Sequence, residues 1–134
     1  MQRKLARENA FLLIFESVCK NDEDNQEIFD KAVDVRGLEY DDYVKAVYFG
    51  VAEKLEEINE LTEKQFKGWK AERISPVSRA IIRLSTYEMM CMKDIPARVS
   101  INEAIELAKK YDDEKSYSFV NGVLNAVAEE LGRK

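Results

Sequence analysis

Apolar side chains recur at intervals of three and four through almost the whole chain, a spacing that leaves room for little but α-helix. No segment alternates apolar and polar residues with the period of two that a half-buried strand requires. Only five Gly and two Pro punctuate 134 residues, so few points exist at which long helices must stop. The expected class is all-α, with six or seven helices in one domain over residues 1–134. A chain of this length buries roughly 65–70% of its unfolded surface, enough for one sizeable core.

The periodicity divides the chain as follows. A first helix runs from about Gln2 to Lys20, with Phe11, Ile14, Phe15 and Val18 on one stripe. Its opening turns carry Arg3, Lys4 and Arg7, where each cation opposes the helix dipole by ~0.3–1 kcal/mol. An exposed, frayed first turn would tolerate this, and a polyanionic partner would explain it. After the acidic residues 21–25 a short helix places Ile28, Phe29, Ala32 and Val33 inward and ends near Gly37. Residues 41–65 read as one long helix whose seam is Val44, Val47, Tyr48, Val51, Leu55, Ile58 and Leu61. Trp69, in the polar stretch that follows, is expected to cap the core.

Ser75 and Pro76 form a helix start, the serine accepting from a free backbone N–H and the proline standing where no donor is needed. The helix continues to about Met92, with Val77, Ile81, Leu84 and Glu88 on one face and Arg79 and Arg83 on a neighbouring stripe. Ser100 and Glu103 have the spacing of a capping box opening the next helix. A last helix spans about Ser116 to Leu131, before Gly132. Within it, Gly122 costs about 1 kcal/mol relative to alanine, which is explained if a neighbouring helix approaches closely there. Cys19 and Cys91 lie far apart among apolar neighbours and are read as buried, reduced thiols.

Catalytic chemistry finds little support. The chain contains no His, which removes the Ser-His and Cys-His pairs, the HExxH zinc site and the commonest general base together. Phosphate loops and close cysteine pairs are also absent, so no cofactor or metal is expected. The amino terminus is basic before an apolar run but has no small-residue cleavage site and carries Glu8 and Glu16, so a cytoplasmic protein without a membrane partner is expected. Net charge is −5, yet its distribution is uneven: residues 20–65 carry a net −8 and residues 66–98 a net +4. Local potential, rather than net charge, steers a polyanion. Phe119 is then readable either as a core anchor or as a platform for an unstacked base of single-stranded RNA.

Four segments, in this order and spacing, resemble the NusB family of bacterial transcription antitermination factors. They are residues 82–88 (IRLSTYE), 94–96 (DIP), 99–109 (VSINEAIELAK) and 119–124 (FVNGVL), with Ala6, Arg7, Glu8 and Ala10 similar to the end of that family's arginine-rich opening. The resemblance spans nearly the whole chain. It implies a fold of two small helical bundles. It also implies binding of the boxA segment of nascent RNA together with NusE, a small-subunit ribosomal protein, within an RNA polymerase antitermination complex, notably in ribosomal RNA operons.

The RNA side implied by the resemblance comprises Arg3, Lys4, Arg7, Phe15, Arg79, Lys115 and Phe119. The cations are assigned to phosphates and Phe119 to base stacking. The chain departs from the family in three places. Leu5 stands where a further basic residue is frequent, Phe15 lacks the hydroxyl of the usual Tyr, and Lys115 replaces an acid that in some members limits RNA affinity. Lys115 is expected to offset the thinner basic arm. Two other readings stay open at this point: a helical module that binds only protein, and a domain of the kind that precedes ribosomal RNA cytosine methyltransferases. A homodimer of the free protein is also left open.

Overall fold

Seven α-helices and one short 3-10 turn make up the computed structural model, which describes residues 1–133, and no strand occurs among them. The helices are α1 (Arg3–Cys19), α2 (Asn25–Asp34), α3 (Asp42–Glu53), α4 (Leu55–Glu63), α5 (Pro76–Cys91), α6 (Ala97–Tyr111) and α7 (Glu114–Glu130), with the 3-10 turn at Ala71–Arg73. Four helices open on a side-chain cap. Asp24 accepts from the Glu27 amide, Asp41 from Val44, Ser75 from Ser78 and Asp113 from Ser116, each answering a backbone donor that has no partner within its helix. The cap expected at Ser75 before Pro76 is present as drawn from the sequence. Helix α2 ends where Gly37 takes φ +69°, and the amides of Gly37 and Leu38 close back onto Val33 and Ala32.

Helices α1, α3 and α5 pack on one another with α2 laid against α1, and α5, α6 and α7 form a second group with α4 against α5 and α7. Helix α5 belongs to both groups, so the two bundles share one continuous core. Its buried members include Phe11, Ile14, Val47, Tyr48, Ile81, Leu84, Leu124 and Val127.

Several expectations are corrected. The seam over residues 41–65 is apolar as read, but it is carried by two helices, because Lys54 adopts φ −103° and ψ 19° and interrupts the spiral between α3 and α4. The seam supplies burial on both sides of that bend, so spacing alone does not reveal it. Ser100 does not cap a helix: α6 begins at Ala97, one turn earlier, and Ser100 Oγ donates to Glu88 Oε1 at 2.7 Å instead. Its would-be partner Glu103 faces Lys4 and Arg7. A tertiary carboxylate has outcompeted the local cap.

Gly122 has open space around it, with nothing within 4 Å of an added Cβ. The glycine that packing demands is Gly50 in α3, where a Cβ would collide with the Tyr87 ring of α5. Cys19 and Cys91 are free thiols, as expected, but exposed rather than buried. Trp69 does not cap the core either, standing 61% exposed.

Candidate nucleic-acid interface

The loop after α4 is held away from the core by its own backbone. Lys67 and Gly68 take consecutive positive φ values of +51° and +94°, a sequence of angles that Gly adopts without penalty and Lys only at some cost. Phe66, just before, stays buried and anchors the loop. The turn then projects Lys67, Trp69 and Lys70 into solvent, and the 3-10 turn adds exposed Arg73.

A second element is brought to the same place by Asp112, in the connection between α6 and α7. Its Oδ2 accepts from Ser75 Oγ at 2.7 Å and from Ser78 Oγ at 3.1 Å, tying that connection to the first turn of α5. Asp113 caps α7 next door. Lys115 and Phe119 are thereby set against the Trp69 loop. The Phe119 ring lies 5.8 Å from Phe66 and 6.2 Å from Trp69, tilted 60° to the latter. Phe119 is half-buried, in the second turn of α7, so it serves both readings left open by the sequence: one edge anchors on the core and the rest faces outward. Between the two rings and Ser78, Arg73 and Lys115 lies an apolar-floored cavity of about 230 Å³. Lys67, Lys70 and Arg73 border an adjoining depression beside Trp69. Four cations around one exposed and one half-buried ring can neutralise phosphates and stack bases at once.

The other expected site residues are not gathered here. Arg3 and Lys4 are exposed at the start of α1, Arg3 over the Tyr43 ring at 4.3 Å and Lys4 3.8 Å from Glu103. That end of α1 meets α5 near Glu88, ten residues and ~15 Å along the helix axis from Ser78. Phe15 is half-buried, tilted against Phe11 at 6.2 Å, and lines a separate apolar groove with Leu12, Cys19 and Leu38. Arg79 lines a third cleft together with Arg83. Arg7 is interior: only 4% exposed, it donates from Nε to Glu88 Oε2 at 2.8 Å. Burial by itself would lower the pKa of this guanidinium, but the hydrogen bond and charge of Glu88 outweigh it and raise the value. A guanidinium so engaged holds the fold and has no charge to offer a phosphate.

Trp69, Lys67, Lys70 and Arg73, which the structure sets beside Phe119 and Lys115, were not among the site residues expected from the sequence. The signal was present, since an aromatic set among three cations is what a stacking surface needs, but a lone Trp in a helical protein is more simply read as core.

Fold and surface together are those of a small all-helical domain with one basic, aromatic face. The chain belongs to the NusB family, whose family model matches residues 4–129. Transcription antitermination protein NusB of Bacillus licheniformis is 44% identical over 131 residues, spanning 98% of this chain and 99% of that protein. Among solved structures, T. maritima NusB is similar with a TM-score of 0.85 and 36% identity, over 97% of this chain and 92% of that one. A NusB chain from a crystal structure of antitermination factors NusB and NusE in complex with dsRNA has a TM-score of 0.84 and 30% identity, over 96% of each chain.

Proposed function

We propose that this protein is a transcription antitermination factor that binds boxA RNA jointly with NusE and enters the RNA polymerase complex to promote read-through, notably in ribosomal RNA operons. The observation that carries the RNA side is the Trp69–Phe119 pair, 6.2 Å apart and ringed by Lys67, Lys70, Arg73 and Lys115. Family membership and the likeness to NusB solved with NusE and dsRNA support the choice of partners. In this reading the single domain of residues 1–134 acts in the cytoplasm by binding, without catalysis or a cofactor. Bases stack at Trp69 and Phe119, and Arg3 and Lys4, at the exposed start of α1, meet phosphates elsewhere on the strand. Arg79 and Phe15 are further proposed contacts, each in its own cleft apart from that surface. Arg7 contributes by fixing the base of α1 rather than by touching RNA.

The reading excludes a protein-only module if a mobility shift shows preference for boxA over scrambled RNA. NusE should strengthen that binding, and rising salt should weaken it. Equal retention of boxA and scrambled RNA, unaffected by NusE, would overturn it. The free protein as a homodimer that covers this surface is part of the same proposal, and sedimentation with and without RNA tests it: RNA should shift the protein toward the monomer.

A further inference from the structure

Helix α5 carries Arg79 and Arg83 one turn apart, facing a cleft of about 270 Å³ between the end of α1, the α1–α2 connection and the junction of α3 with α4. Ser17, Glu23, Asn25 and Leu55 are among the other residues that line it. Among the described residues neither guanidinium has an ion-pair or hydrogen-bond partner, although both are half-buried. Burial, then the neighbouring charge of Arg79, holds the Arg83 pKa down at about 10 against the pull of Glu63, so Arg83 stays charged at neutral pH. Two like charges left together in a cleft are unfavourable unless an anion joins them. A second unmet group lies in the same cleft: Glu23 Oε2 is buried and receives no hydrogen bond.

We propose that this cleft binds a nucleotide, with Arg79 and Arg83 holding the phosphate and Glu23 accepting an N–H of the base. Guanidinium groups match phosphate oxygens in geometry as well as charge, and a carboxylate is complementary to the amino and imino edges of bases. The cleft is close to the lower end of the size range for small-ligand sites, which suits one nucleotide unit. The proposal does not rest on the Trp69–Phe119 surface, which lies in other cavities. The nucleotide is either a residue of the bound RNA or a free mononucleotide, and the chemistry is shared.

Calorimetry in phosphate-free buffer tests it with inorganic phosphate, a nucleoside and 5′-mononucleotides. Phosphate is expected to bind weakly, the mononucleotides more tightly and the nucleoside undetectably. Arg79→Gln and Arg83→Gln should each weaken mononucleotide binding about tenfold or more, the loss of a charge-assisted bond. Glu23→Ala should weaken the mononucleotide and spare phosphate. Circular dichroism checks each variant's fold, and Arg79→Gln carries the test alone if Arg83→Gln unfolds. A mononucleotide that displaces boxA RNA assigns the site to the RNA chain, and one that binds beside it assigns a free ligand. Absence of mononucleotide binding, or unchanged binding in folded Arg79→Gln, overturns the proposal, while leaving RNA binding at Trp69 and Phe119 to its own test.

Discussion

Arg7 and Glu88 form a buried ion pair between α1 and α5, with Glu88 fully enclosed and its two oxygens shared among Arg7, Ser100 and the Tyr43 hydroxyl. One carboxylate thus ties together α1, α3, α5 and α6. Coulomb attraction alone does not make such a pair stabilising, since both charges lose water. Its hydrogen bonds make it a register: each oxygen is satisfied only when four helices stand in one arrangement.

Removing one member should therefore be severe. Arg7→Ala leaves the Glu88 carboxylate buried with only the Ser100 and Tyr43 hydroxyls to meet it. It is expected to cost ~3–5 kcal/mol, a Tm loss on the order of 10 °C or more for a domain of this size. Denaturant unfolding measures it. A change below about 1 kcal/mol, within the range of an exposed pair, would mean that the pair is not holding the helices. Any loss of RNA binding in this variant would follow its fold, and Arg7→Lys should recover part of the stability without restoring the forked contact.

The aromatic pair makes the opposite prediction. Trp69→Ala removes an exposed ring and should leave Tm nearly unchanged while weakening boxA RNA by the ~1–3 kcal/mol typical of a stacked base. Phe119→Ala should show a similar RNA loss together with a modest drop in stability, because its ring also rests on Phe66. Fluorescence of Trp69, the chain's one tryptophan, gives a direct readout: stacked RNA should change its emission in wild type and in Phe119→Ala alike. An unchanged RNA affinity for Trp69→Ala would displace the interface from this loop.

Lys115 lies exposed between Asp113 and Phe119 at the rim of the same cavity. Lys115→Glu converts a phosphate-neutralising charge to a repelling one and should lower boxA affinity at fixed, moderate salt. The slope of log affinity against log salt should also fall by ~0.7, the value for one phosphate of a single strand. The same affinity and slope in both proteins would show that Lys115 makes no compensation for the sparse basic arm at Arg3 and Lys4.

The all-helical class, the Ser75 cap and the family were legible in the sequence because each is written in local spacing. What was not legible depends on partners distant in the chain. Ser100 and Glu103 satisfy the pattern of a cap, yet Glu88 and Arg7, twelve and ninety-six positions away, take them. Arg7 looks like its neighbours Arg3 and Lys4 in sequence and shares their side of α1, but it stands one turn further along, where the other helices cover α1 from Ala6 onward. Trp69 is apolar by composition and exposed only because two left-handed residues lift its loop. Sequence pointed to basic and aromatic side chains, and the structure places those side chains at several separate surfaces.

The two helical glycines test the same point about distant partners. Gly122, exposed within α7 with open space around it, gains helix propensity on substitution, so Gly122→Ala should stabilise by about 0.5–1 kcal/mol. Gly50→Ala adds the same methyl group to α3 but drives it into the Tyr87 ring, which is itself packed against the core. The ring must shift or α3 must move off α5, and overpacking of this kind costs ~1–3 kcal/mol, more than the propensity gained. Urea unfolding of both variants should give changes of opposite sign. If Tyr87 were free to swing aside, Gly50→Ala would stabilise as Gly122→Ala does, and the double variant Gly50→Ala with Tyr87→Ala distinguishes this by relieving the clash only where one exists.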